Sequence, residues 1–337
     1  MRPEDLLVPT PQGLYCPPAD IHIDPMRPVP RALVTHGHSD HARAGHGAVM
    51  ATADTLDIMA LRYGEDFCGT RQPAAYGEAV DISGVRASFH PAGHVLGSAQ
   101  IRLEWNGFRA VVSGDYARLD NPTAAPFEPV PCDLFVTEAT FGLPVFRHPD
   151  PVDETGKLLA SLALFPEATH FVGAYALGKA QRMIALIRAC GHDAPVWLHG
   201  AAVKLTDFHV ARGIDLGDVR PVAGEDRKAL GGAIVICPPS ATQDLWARKF
   251  PDPVTAFASG WMRVKARARQ RGAELPLVIS DHADWDDLRR TIADTGATEV
   301  WVTHGQEDAL VHWCGTQGIA ARPLRLVGYG DEAEEEA

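Results

Sequence analysis

The sequence predicts an α/β chain in which a strand-rich fold is interrupted by a unit of alternating helices and strands. Three observations predict it: short apolar runs between turn residues from residue 21 to about 136, helix and strand alternation after Phe141, and a return of strand-rich character near Leu275. With 337 residues the chain is about twice the ~150-residue soft prior for one domain, which leaves room for a large insertion.

In the first stretch strands are expected at 21–23, 32–35, 85–89, 101–105, 108–112 and 134–136, with one helix at 53–63. Asn106-Gly107 between two of these runs is a two-residue hairpin signal, because both turn positions need positive φ. The middle stretch reads as helix 152–164, strand 170–173, helix 176–190, and strands 196–198, 234–237 and 255–257, the rhythm of parallel βαβ units. The last stretch reads as strand 277–279, helix 285–293, strand 300–302, a further helix and strand 324–327.

Apolar residues make up 46% and charged residues 22%, the balance of an ordinary globular protein. The formal charge is −12, with five of the negatives at Asp331, Glu332, Glu334, Glu335 and Glu336 in a solvated acidic tail. Such a balance argues against wholesale coating of nucleic acid but permits a local basic strip. Six scattered cysteines without a Cys-x-x-Cys pair, no secretion signal and no run of ~18 apolar residues lead to the expectation of reduced thiols in a cytoplasmic protein with no membrane span.

The run His36-Gly37-His38-Ser39-Asp40-His41 follows the expected strand 32–35, so its imidazoles and carboxylate leave a rigid element on a tight loop. Alternate spacing points His36 and His38 the same way, and Asp40 and His41 can turn toward a second point. Histidine and carboxylate ligands suit zinc, manganese or iron in a site with open positions; the alternative is a polar turn with surface histidines. His94 in HPAGHVLGSAQ and Asp115 in VVSGDY also sit at strand ends, and a carboxylate has two oxygens with which to bridge two cations. Taken singly, either residue would more often be a structural His or a capping Asp.

With these residues in order, the sequence resembles the metallo-β-lactamase fold, an αββα sandwich. Glu138 in FVTEATFG, His282 in VISDHAD and His304 in WVTHGQED resemble the three motifs of its β-CASP nuclease branch, in which an α/β unit is inserted. The resemblance covers nearly the whole chain and implies a first lactamase part at 1–141, an inserted β-CASP domain at 142–274, a last lactamase part at 275–330 and the tail at 331–337. Length, AYALGKAQ and ASGWM make the chain most similar to the bacterial ligase-associated DNA exonucleases, which are encoded beside an ATP-dependent DNA ligase and a helicase.

The resemblance implies two divalent ions, zinc or manganese. His36, His38, His94 and Asp115 would hold one, and Asp40, His41, Asp115 and His304 the other. It further implies that Asp24, in DIHIDP, orients a ligand or the attacking water, that Glu138 orients a histidine, and that His282 protonates the departing oxygen. RNA-cutting members keep a histidine at the place of His304, where eukaryotic DNA-cutting members tend to have an aliphatic residue.

Gly173 to Ala180, GAYALGKA, nearly spells a P-loop, but Ala180 stands where a magnesium-binding hydroxyl is needed. What is left is a Gly-rich turn into a helix, with Lys179 either holding a substrate phosphate or solvated. Arg263, Lys265, Arg267, Arg269 and Arg271 fall within nine residues with no acid among them. They form either a backbone-tracking edge of a substrate groove or a solubilising surface, and on a helix this spacing spreads over more than one face.

The expected function is two-metal hydrolysis of phosphodiester bonds, first as a DNA exonuclease on single-stranded ends in repair, second as an RNA-processing enzyme resembling ribonuclease J. A thioester or lactam hydrolase leaves the inserted unit and the Glu138, His282, His304 series without purpose. An inactive scaffold subunit should have lost ligands, and here every position is filled.

Overall fold

The computed structural model describes residues 2–324, which divide into two compact units, one of residues 2–147 and 282–324, the other of residues 148–281. The expected tail at 331–337 and most of the expected strand 324–327 lie outside the described residues; the last described strand is Ala320–Pro323.

In the first unit one sheet runs, in spatial order, Val8–Thr10, Gly13–Cys16, Ile21–Ile23, Arg31–Leu33, His46–Thr52 and Cys68–Ala74. Its first three strands are antiparallel and the rest parallel. The second sheet runs Ala320–Pro323, Glu299–Gly305, Leu134–Ala139, Phe108–Val112, Ala99–Trp105, Val85–Pro91 and Ala79–Ile82. The period-two alternation of strands sorts their side chains between layers. Leu134, Val136 and Trp301 join the core between the two sheets, together with Leu14, Ile23 and Leu33. Their neighbours Phe135, Val300 and Val302 face helices Trp285–Thr295 and Glu307–Thr316 through Leu288, Ile292 and Leu310. On the outer face of the first sheet, Ala32, Val34 and Val49 pack on Leu56 and Met59 of helix Ala53–Tyr63. The order helix, sheet, sheet, helix is the αββα sandwich.

Helix ends follow local chemistry. Thr52 caps helix Ala53–Tyr63 by accepting from Thr55 N, and Asp284 accepts from Asp286 N and Asp287 N at 3.0 Å to start Trp285–Thr295, which Gly296 ends at φ +65°. Leu288 and Ile292 lie one turn apart and fully buried, so truncating Leu288 to Ala should cost about 2–5 kcal/mol. The Asn106-Gly107 hairpin forms with φ values of +49° and +80°.

Strands Val8–Thr10, Gly13–Cys16, His46–Thr52, Cys68–Ala74, Ala79–Ile82 and Val219–Pro221, and helix Gly200–Ala211, add to what the sequence led us to expect. His46–Thr52 and Cys68–Ala74 hide because close backbone approach replaces β-branched side chains. A Cβ on Gly69 would lie 2.5 Å from Gly47 O, and one on Gly47 2.6 Å from Pro30 O.

The second unit holds one all-parallel sheet, in the order Val219–Pro221, Val196–Leu198, Ile234–Cys237, His170–Gly173, Val254–Ala258 and Leu275–Leu277. Ile234 and Ile236 face helix Lys179–Ala189 through Met183 and Ile187, while Val235 and Cys237 join Phe171 and Phe250 on the other face. The expected helix 176–190 starts later, at Lys179, because residues 176–178 form a turn with Gly178 at φ +82°. The expected strand 277–279 instead spans Leu275–Leu277.

Candidate metal centre

The loop 36–41 leaves strand Arg31–Leu33 and closes on itself, with His41 N and Ala42 N both donating to His38 O, at 3.2 and 2.8 Å. Arg62, from the helix beside it, donates to Gly37 O at 2.5 Å. Asp24 ends strand Ile21–Ile23 at φ +44°, a conformation Asp tolerates. Its carboxylate accepts from Thr35 N (2.8 Å) and Thr35 Oγ1 (2.6 Å) and lies 2.7 Å from His41 Nδ1.

These contacts fix tautomers. The Thr35 hydroxyl gives its proton to Asp24, so it can only accept from His36 Nδ1, 3.1 Å away. His41 Nδ1 likewise donates to Asp24, so in the neutral rings that a cation would need the Nε2 atoms of His36 and His41 carry the lone pairs, and each lies 3.4 Å from Asp115 Oδ2. Asp115 reaches that point because the chain turns at Gly114, φ +56°, where a Cβ would lie 2.7 Å from Thr35 Oγ1.

Two donor sets converge, His36, His38, His94 and Asp115 in one and Asp40, His41, Asp115 and His304 in the other, each with its ligand atoms within 4.8 Å of one another. In the first, His38 Nδ1 lies 3.2 Å from His36 Nε2 and 3.0 Å from His94 Nε2, and His94 Nε2 lies 3.9 Å from Asp115 Oδ2. A tetrahedral cation held at ~2.0–2.1 Å by nitrogen has its ligand atoms about 3.3 Å apart, so the set fits such an ion. In the second, Asp115 Oδ1 lies 3.4 Å from His304 Nδ1, and His41 Nε2 lies 3.6 Å from Asp40 Oδ2. One oxygen, Oδ2, thus faces both sets. His304 takes φ +55° at the end of strand Glu299–Gly305, and the next Cβ would meet Ala139 O at 2.5 Å, which glycine at 305 avoids.

The field here is strong. Burial disfavours protonation of His41, but the Asp115, Asp40 and Asp24 carboxylates outweigh it and hold the imidazole well above the ordinary histidine value. Burial also opposes ionisation of Asp115, yet His41, His304 and His36 hold its carboxyl well below the usual range.

Glu138, at the end of strand Leu134–Ala139, accepts from Tyr116 N (2.8 Å) and Thr140 Oγ1 (2.5 Å) and lies 3.0 and 3.1 Å from His282 Nδ1. The His282 ring centroid lies 4.6 Å from that of His94, and Asp115, Glu138 and His282 form a further close group. Thr35, Gly114 and Thr140 escaped the sequence reading. Gly114 immediately before a candidate ligand was the signal for one of them; the threonines have none.

One expectation about cations needs correction. Lys179 is 1% exposed and ion-paired with Asp281, and its turn has no free cradle: Gly178 N donates to Gln181 Oε1, Lys179 N to Leu177 O and Ala180 N to Tyr175 O. It is not available to a substrate phosphate. The basic strip is split between a turn at Gly260–Arg263 and the short helix Lys265–Gln270. Arg263 and Lys265 are exposed, whereas the Arg267 guanidinium stacks 3.8 Å from the Trp261 ring centroid.

No family model matches the chain. It is similar to a probable DNA ligase of Opitutus terrae, 29% identical over 317 residues that cover 92% of this chain and 30% of that protein. The endoribonuclease YSH1 of Candida glabrata is 30% identical over 116 residues, 33% of this chain and 15% of that protein. Transcription termination factor FttA of Pyrococcus abyssi is 28% identical over 223 residues, 53% of this chain and 34% of that protein. The chain thus spans about a third or less of the length of these relatives. A solved protein of unknown function from Enterococcus faecalis superposes with a TM-score of 0.57 at 15% identity, over 88% of this chain and 79% of that one. The fold is that of a metallo-β-lactamase sandwich carrying a β-CASP-type α/β insertion.

Proposed function

We propose that the chain is a two-metal nuclease of the β-CASP branch, with residues 148–281 as its inserted unit, and that its preferred substrate is single-stranded DNA ends in repair. The observation that carries this is the pair of donor sets sharing Asp115 Oδ2. His36, His38, His94 and Asp115 would hold one zinc or manganese ion, and Asp40, His41, Asp115 and His304 the other. When bound, the two ions supply the Lewis acidity that phosphodiester hydrolysis needs.

The chain's own groups do the rest. Asp24 and Thr35 keep the His36 and His41 lone pairs directed inward. Glu138 fixes His282 Nδ1 as a donor, which leaves Nε2 to carry the proton given to the departing oxygen. The exposed cations Arg263 and Lys265, with Arg267 on its Trp261 platform, are the candidates for backbone phosphates.

DNA is favoured because the relative that matches along 92% of this chain is a probable DNA ligase; association with such a ligase and a helicase, in the cytoplasm, belongs to the same reading. RNA is the second reading, favoured by His304 and by an endoribonuclease among the relatives. The test is digestion of end-labelled single-stranded DNA, duplex DNA and matched RNA with zinc, manganese and magnesium compared, beside a thioester. Shortening of single-stranded DNA from its ends is expected. Preference for RNA transfers the assignment to the second reading, and hydrolysis of the thioester alone removes both.

A further inference from the structure

Helix Lys179–Ala189 carries two cations three residues apart on one face, Lys179 and Arg182, 1% and 0% exposed. The apolar packing of this helix comes from Ala180, Met183, Ile184 and Ile187, beside which the two cations are among the largest fully buried side chains. Lys179 Nζ pairs with the Asp281 carboxylate and lies 3.4 Å from Ile279 O, and Arg182 Nη1 donates to Ser280 O. Arg182 Nε and Nη2 are buried and make no hydrogen bond among the described residues. Lys179 is thus ion-paired with Asp281, while Arg182 is held on a backbone carbonyl and feels the charge of the same carboxylate; each is desolvated at a cost that its partners repay only in part. What they hold is specific: Ile279, Ser280 and Asp281 are the three residues before His282, and they lie outside any strand or helix. On the other side of His282, Ala283 N donates to Tyr116 O at 2.7 Å.

We propose that Lys179 and Arg182 are positioning residues for His282, holding the segment 279–281 so that the imidazole keeps its register against Glu138. This rests on the reading of His282 as the proton donor. The near-P-loop thus serves the reaction by gripping protein backbone, with its lysine turned inward.

The variants are Lys179→Met and Arg182→Met, which keep length and lose charge, with Lys179→Arg and Arg182→Lys as conservative partners. On single-stranded DNA, kcat should fall about tenfold or more with KM and bound metal unchanged, and the conservative variants should recover part of it. On bis-p-nitrophenyl phosphate, whose leaving group needs no proton, the loss should be smaller. In a His282→Ala background the Met substitutions should cost nothing further. An equal loss on both substrates, a loss that persists without His282, or a fall in metal content overturns the proposal. If the Met variants do not fold, Asp281→Asn is measured in the same way, and unchanged kcat there overturns it. A wild-type protein inactive on every phosphodiester defeats the functional reading instead. The positioning is then read from the His282 signal in 15N-histidine-labelled protein, which Asp281→Asn should shift; an unmoved signal overturns it.

Discussion

At the strand ends of the first unit, His36, His94 and His304 face the Asp115 carboxylate at 3.4 to 3.9 Å, whereas in the second unit the polar groups of the Gly178 turn are satisfied by Gln181, Tyr175, Leu177 and residues 279–281. Both regions look chemical in sequence, each placing polar residues just after a strand. The difference lies in where the second hydrogen-bonding atom of each side chain goes. Around Asp115 the outer nitrogens of His36 and His41 are tied to Thr35 and Asp24, which turns their other nitrogens toward the carboxylate, an arrangement suited to a cation. Around Gly178 the donors end on carbonyls and one carboxylate, an arrangement that holds chain.

Removing metal should separate the two regions most strongly. Dialysis against a chelator should bring phosphodiester hydrolysis to background and lower Tm, since a ligand at a hundred times its Kd stabilises by about 2.7 kcal/mol. Return of zinc or manganese should restore both. Activity that survives complete metal removal, checked by elemental analysis, breaks the comparison at its first term.

His282→Ala should lower turnover by about 10² while the protein keeps its metals and its circular dichroism spectrum. Loss of an ion in that variant would make His282 a ligand. Next in size, Asp24→Asn leaves shape intact but weakens the hold on His41 Nδ1, so metal affinity should drop about 10- to 100-fold, read by competition with a chromophoric chelator. Unchanged affinity would mean that Asp24 serves the backbone of Thr35 alone.

The smallest effect is expected from the basic strip. For a catalytically dead form binding single-stranded DNA, log Kd against log salt changes by about 0.7 per phosphate contact, and Lys265→Ala with Arg267→Ala should reduce the slope by about one to two contacts' worth. An unchanged slope leaves the strip as solvated surface.

The ligand set was legible because four of its members crowd into six residues and the others stand after apolar runs, where a strand end is the natural reading of His94 and Asp115. Glu138 and His282 were legible through the motif resemblance, but their mutual contact, 144 residues apart, was not. Lys179 was misread for a physical reason: a Gly-rich turn before a helix resembles an anion site whether or not its N–H groups are spent internally, and Gln181 gives no sign in sequence that it spends one. The missed strands His46–Thr52 and Cys68–Ala74 rest on glycines packed across a ladder, and helix Gly200–Ala211 opens with glycine and carries Val, Thr and Phe where helix formers would mark it.

The claim on which the rest depends is that one carboxylate serves two cations. Metal content per chain, measured by elemental analysis on wild type and Asp115→Ala in parallel, tests it most directly. The account predicts about two divalent ions in the wild type and a folded Asp115→Ala variant that has lost tight binding and hydrolysis together. Two tightly held ions persisting in Asp115→Ala would contradict it.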